Sequence, residues 1–178
     1  GAHGLEEKTR LIARQGVRVA RGAREIVGVN AFIAGSMGPL GKPLEPIGTL
    51  TAADAQRHFA VAAEGLLEGG CDCFLLETFQ DLNEILAAIA AVRGLTREIP
   101  LIAQMTYGLD GKTLYGHTPA IAVAALLKAG ADVVGVNCGV GPQPTLEVLE
   151  QVVAAAGRTP VSAMPNAGLP QFVNGRYA

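Results

Sequence analysis

The residues that could do chemistry gather where apolar runs stop. Cys138 follows the β-branched run Val133-Val134-Gly135-Val136-Asn137 and opens the turn Gly139-Val140-Gly141-Pro142, which can continue neither strand nor helix. A thiol at the end of a strand, beside glycines that let a ligand approach the backbone, could be a nucleophile or a metal ligand. It could equally be a small, inert core residue, the commonest fate of a free cysteine. Glu77 follows Phe74-Leu75-Leu76 and precedes Thr78-Phe79. A carboxylate so enclosed needs a partner: a neighbouring Lys or Arg, or the ammonium group of a substrate. Ser36, Gln104, Thr106, Asn137 and Asn166 end other apolar stretches. A carboxylate, a thiol and the carboxamides of Asn137 and Asn166 at one edge form the pattern of a small polar-ligand site.

Other candidates are weaker. Cys73 precedes Glu77 by four residues, about 13 Å along an extended strand. Metal–sulfur bonds are ~2.3 Å, so Cys71 and Cys73 are expected in core packing and not beside Cys138. Gly139-Val140-Gly141 is half of a dinucleotide-binding turn. Pro144 stands where the third glycine belongs, Pro142 lacks an amide hydrogen, and no Lys or Arg occurs from Val133 to Gly157. His3, His58 and His117 are expected at the surface.

Alternating periodicities set out the elements that position these groups. Helices are predicted over residues 5–24, 52–68 (capped by Thr51), from Asp81 to a stop at Gly94, from the Thr118-Pro119 start, and over 145–156. In the last of these, Leu146, Leu149, Val152 and Val153 are expected inward. Strands are predicted over 29–35, 72–77, 100–105, 131–137 and 160–164, and Asn174-Gly175 signals a turn near the end. The first helix carries Lys8, Arg10, Arg14, Arg18, Arg21 and Arg24, six of the chain's 14 basic residues. They are expected on a solvated face opposite Leu11, Ile12 and Val19, without the aromatic residues on which bases stack.

Five strand–helix alternations imply right-handed βαβ units and a parallel sheet. A closed barrel takes eight units and about 250 residues, so 178 residues are expected to form the middle and later part of one, truncated at both ends. The chain is 49% hydrophobic and 17% charged, with a net charge of -2; this favours neither nucleic acid nor membrane as a partner. Three cysteines without a framework spacing fit a reducing, cytoplasmic setting.

Five motifs in order carry a resemblance: Ala34-Gly35-Ser36-Met37-Gly38-Pro39, Phe74-Leu75-Leu76-Glu77-Thr78-Phe79, Ile102-Ala103-Gln104-Met105-Thr106, Gly135-Val136-Asn137-Cys138-Gly139-Val140-Gly141-Pro142 and Pro165-Asn166-Ala167-Gly168-Leu169-Pro170. Together they resemble the homocysteine S-methyltransferases, across essentially the whole chain. The resemblance implies an α/β fold, the (β/α)8 TIM barrel, present here as about five parallel strands with flanking helices. It makes residues 1–178 a homocysteine-binding barrel domain. It implies a zinc ion held by three cysteine thiolates, of which Cys138 would be one; the other two belong to a Gly-Gly-Cys-Cys motif that this sequence lacks. It implies that Glu77 receives the homocysteine amino group, that Asn137 and Asn166 line the substrate site, and that Asn166 lies beside the metal. The expected activity is attack of a zinc-activated homocysteine thiolate on a methyl donor, giving methionine, with the segment alone inactive. Methyltetrahydrofolate or methylcobalamin are the donors implied, and a folate, cobalamin or reductase domain is an expected fusion partner. A barrel enzyme of the aldolase or synthase type is the alternative, and would want a Schiff-base lysine on a strand. A non-catalytic amino-acid-binding module is another.

Overall fold

The structure, a computed structural model, describes residues 4–139, 141–167, 172–173 and 176–177. Five strands form one parallel sheet in sequential order: β1 (Ala34–Met37), β2 (Cys73–Phe79), β3 (Leu101–Met105), β4 (Val133–Asn137) and β5 (Val161–Met164). The helices are α1 (Thr9–Val27), α2 (Ala52–Gly69), α3 (Leu82–Leu95), α4 (Pro119–Ala129) and α5 (Pro142–Ala156). A turn of 3-10 helix, Glu6–Lys8, precedes α1. Strands β6 (Phe172–Val173) and β7 (Arg176–Tyr177) pair antiparallel; the Asn174-Gly175 turn expected between them lies outside the described residues, as does His3.

Sequential order, with the right-handed crossovers usual for parallel strands, puts α2, α3, α4 and α5 on one face of the sheet, and α1 packs on α2. Phe74, Leu76, Leu101, Ala103, Met105 and Val134 point to that face and are fully buried. The alternate residues point to the opposite, concave face. There Leu75, Ile102, Val133 and Ser162 are only half-buried, and Met164 is exposed. The sheet is an unclosed barrel wall, helices outside and lumen open, as expected from the sequence.

Caps follow local chemistry. Thr51 and Asp81 accept from the N–H groups of Asp54 and Asn83, and Gly70 and Gly130 end α2 and α4 in left-handed conformations. Three details differ from expectation. β1 starts at Ala34, because the preceding backbone bonds to side chains: Ile33 N donates to Asp72 Oδ2 at 2.8 Å and Arg24 Nη1 donates to Ala31 O at 2.9 Å. Helix α5 starts at Pro142, three residues early, with proline in its first turn and Thr145 Oγ1 donating to Gly141 O. Its inward stripe is Thr145, Val148, Val152 and Ala156, and Leu146 and Val153 flank it, exposed.

Helix α1 is partly inverted relative to expectation. Leu11, Ile12 and Val19 are 45%, 50% and 73% exposed, while Arg14, Arg21 and Arg24 are half-buried against the protein; Lys8, Arg10 and Arg18 stay exposed, as expected. The cause is a close helix crossing. A Cβ on Gly65 would sit 2.3 Å from Arg10 O, and one on Gly69 2.6 Å from Val17 Cβ. The thin seam lets flanking side chains reach across: Arg10 pairs with Glu64 and Glu68, Arg21 donates to Gly70 O, and Arg24 pairs with Asp72.

Candidate active site

A bulge in β2 begins the site. Leu76 pairs with Ala103 and Phe79 with Met105, so β2 takes three steps while β3 takes two. Leu76 and Phe79 both stay buried beneath the helices. The extra residue lets Glu77 and Thr78, which are consecutive, both leave the helix-covered face. Thr78 takes a left-handed backbone, φ 67°, where a β-branched residue is an outlier.

Thr78 meets the end of β4. Its N–H donates to Asn137 Oδ1 at 2.8 Å. The Asn137 Nδ2 group therefore points the other way, donating to Thr78 Oγ1 at 3.0 Å and to Cys138 Sγ at 3.4 Å. Thr78 Oγ1 lies 3.5 Å from the same sulfur. Asn137 is buried, and its carbonyl accepts from Thr106 Oγ1 at 3.0 Å.

Cys138 follows β4 with φ 54°, and its N–H donates to Met164 O at 3.0 Å. Gly139 continues the turn at φ 72°; a Cβ there would lie 2.7 Å from Tyr107 O, so only glycine fits. Asn166 Nδ2 donates to Gly139 O at 3.3 Å, bracing the turn without touching the sulfur. Val140 lies outside the described residues. Glu77 accepts from the Ser36 hydroxyl at the end of β1, and among the described residues no Lys or Arg pairs with it.

Thus Glu77, Asn137, Cys138 and Asn166, with Ser36 and Thr106, meet at the carboxyl edge. Gln104 does not: it lies within β3, fully buried, donating to Ser162 Oγ at 3.0 Å. Cys71 and Cys73 sit at the opposite end of β2, and burial pushes the Cys71 thiol up to about 11. His58 is exposed, and His117 Nδ1 lies against the Thr113 hydroxyl.

A family model described as homocysteine S-methyltransferase matches residues 1–178. The chain belongs to the homocysteine S-methyltransferase family. It is 36% identical over 177 residues to methionine synthase of Mycobacterium tuberculosis, covering 96% of this chain and 15% of that protein. Its fold resembles the homocysteine methyltransferase MmuM of Escherichia coli. The apo form gives a TM-score of 0.79 at 24% identity over 94% of this chain and 64% of that one. The metallated form gives 0.77 at 21% identity over 92% and 60%. The chain thus spans a small part of that methionine synthase and under two thirds of MmuM.

The carboxyl ends of the motifs that carry the resemblance lie at this edge; Val140, Gly168, Leu169 and Pro170 lie outside the described residues. Among the described residues no three His, Cys, Asp or Glu side chains form a metal-binding group. Cys138 still suits one corner of a thiolate metal site: it is part-exposed at the mouth and its sulfur accepts from an amide. No helix among the described residues is long and apolar enough to cross a membrane. No described strand carries a lysine, the residue on which the aldolase alternative would depend. Local spacing could not have revealed the role of Thr78, because its partners lie 59 and 60 residues away.

Proposed function

We propose that the protein is a zinc-dependent homocysteine S-methyltransferase, and that residues 1–178 are the middle of its homocysteine-binding barrel, inactive without the remaining strands. The observation that carries this reading is the β2 bulge, which sets the carboxylate of Glu77 one residue from the hydroxyl that touches Cys138.

In this reading Glu77 binds the ammonium group of homocysteine, with Ser36 Oγ orienting its carboxylate. Asn137 and Asn166 shape the substrate site from the β4 and β5 ends. Cys138 contributes one thiolate to zinc. Zinc, when bound, favours the deprotonated form of the homocysteine sulfur, the form able to take a methyl group. Holding the amino end at Glu77 fixes the substrate's direction, so its sulfur meets the donor in one orientation. The donor is methyltetrahydrofolate or methylcobalamin, delivered by a fused folate, cobalamin or reductase domain, in the cytoplasm.

Metal analysis and calorimetry test the proposal. The full-length protein should hold stoichiometric zinc and methylate homocysteine, and the 178-residue chain should do neither. Tight stoichiometric zinc in the short chain would reject the incomplete site. Homocysteine binding by the full-length protein that is indifferent to zinc removal would favour a non-catalytic binding module.

A further inference from the structure

We propose that Thr78 is a positioning residue for the Cys138 sulfur, keeping it a metal ligand and preventing it from becoming a methyl acceptor. The inference rests on the methyltransferase reading above. Its basis is the direction of each hydrogen bond. Thr78 N–H donates to Asn137 Oδ1, which fixes the rotation of the carboxamide. Nδ2 then donates to both Thr78 Oγ1 and Cys138 Sγ. Thr78 Oγ1 accepts from Nδ2 and lies 3.5 Å from Sγ; with the sulfur as a thiolate, which can only accept, the hydroxyl hydrogen is the donor in that contact. Two donors therefore converge on Sγ.

The backbone supports the same conclusion. Thr78 and Cys138 are the two non-glycine residues with positive φ among those described, and they touch each other. Glycine would occupy position 78 without strain, but would bring no hydroxyl.

Two donors on a thiolate fix its direction and draw charge from it, as outer hydrogen bonds do to metal ligands. The step suppressed is attack by Sγ on the donor's methyl carbon. In that step an S–CH3 bond would form while the leaving group departed with the electron pair, and a ligand would be lost.

The test uses the full-length, zinc-loaded protein and methyl iodide as the probe, with peptide mapping by mass spectrometry. Thr78→Val and Thr78→Gly remove the hydroxyl, Thr78→Gly also relieves the backbone, and Thr78→Ser keeps the donor. Methylation at Cys138 should run about tenfold faster in the first two. In Thr78→Ser it should stay close to wild type, with buried Cys71 as the internal reference. Equal Cys138 methylation in all four proteins overturns the inference, even where wild type holds zinc and methylates homocysteine. A wild type that holds no zinc and methylates no homocysteine overturns the methyltransferase reading as well.

Discussion

Two pairs of carboxylates at opposite edges of the sheet are treated in opposite ways. At the amino edge Asp72 and Asp132 each have an arginine. Arg24 Nη1 reaches Asp72 Oδ2 at 3.0 Å and Ala31 O at 2.9 Å, while Ile33 N donates to the same oxygen at 2.8 Å. The arrangement recurs two strands later: Arg93 reaches Asp132 Oδ2 at 2.5 Å and Ile99 O at 3.0 Å, and Leu101 N donates to that Asp132 oxygen at 2.8 Å. Each latch ties a helix, the entry to one strand and the entry to its neighbour. At the carboxyl edge Glu77 has a hydroxyl and Glu84 a backbone N–H, and among the described residues neither has a basic partner. Neutralised acids hold the wall together, and Glu77, without a basic partner among the described residues, is the one that the proposed function gives to a cationic ligand.

The sharpest way to break this contrast is at the carboxyl edge. Cys138→Ala in the full-length protein should abolish zinc binding and methyl transfer, read by metal analysis and product formation, while the thermal midpoint in the presence of chelator stays near that of chelated wild type. Retention of zinc would remove Cys138 from the site. Next in size is Glu77→Ala. A charge-assisted hydrogen bond to an ammonium group is worth about 1.5–3 kcal/mol, so the homocysteine KM should rise about 10- to 100-fold. An unchanged KM would leave Glu77 as a partner of Ser36 and nothing more.

The amino edge should fail differently. Arg93 is 11% exposed and donates to Gly130 O, Ile99 O and Asp132. Arg93→Ala leaves two carbonyls and a carboxylate without this donor, and should cost roughly 2 kcal/mol in urea unfolding. Homocysteine KM should be unaffected. A KM shift as large as that of Glu77→Ala would mean the edges are not separable.

How far the sequence carried this contrast depends on the range of the interaction. The sheet, its order and the caps at Thr51, Asp81 and Thr118 were legible, because each depends on residues within one turn or one strand. The strand-end positions of Glu77 and Cys138 were legible for the same reason. The face of α1 was not: periodicity gives a stripe, but Gly65 and Gly69, some 50 residues on, decide which side docks. The β2 bulge was also hidden, since an extra residue in one strand is defined only against its neighbour β3. The network at Thr78 joins two strand ends across 59 residues, and nothing local announces it.

The smallest effect should come from Glu84, which tests whether unneutralised acids at the carboxyl edge cost stability. Glu84 is 6% exposed, accepts from Leu40 N at 2.7 Å, and burial raises its pKa above the ordinary carboxylate value. A carboxyl whose pKa is raised on folding contributes most below its unfolded pKa, near 4.5, and that contribution is lost as pH climbs through the folded value. Glu84→Gln keeps an oxygen for Leu40 N and cannot ionise. The variant should therefore be slightly more stable than wild type at pH 7, and the difference should vanish below about pH 4.5. Denaturant midpoints at the two pH values decide it. A gain at pH 7 shows that the fold tolerates a stability cost at this edge, and an equal or lower midpoint there would show that Glu84 gains more from its helix N-terminus than it loses to burial.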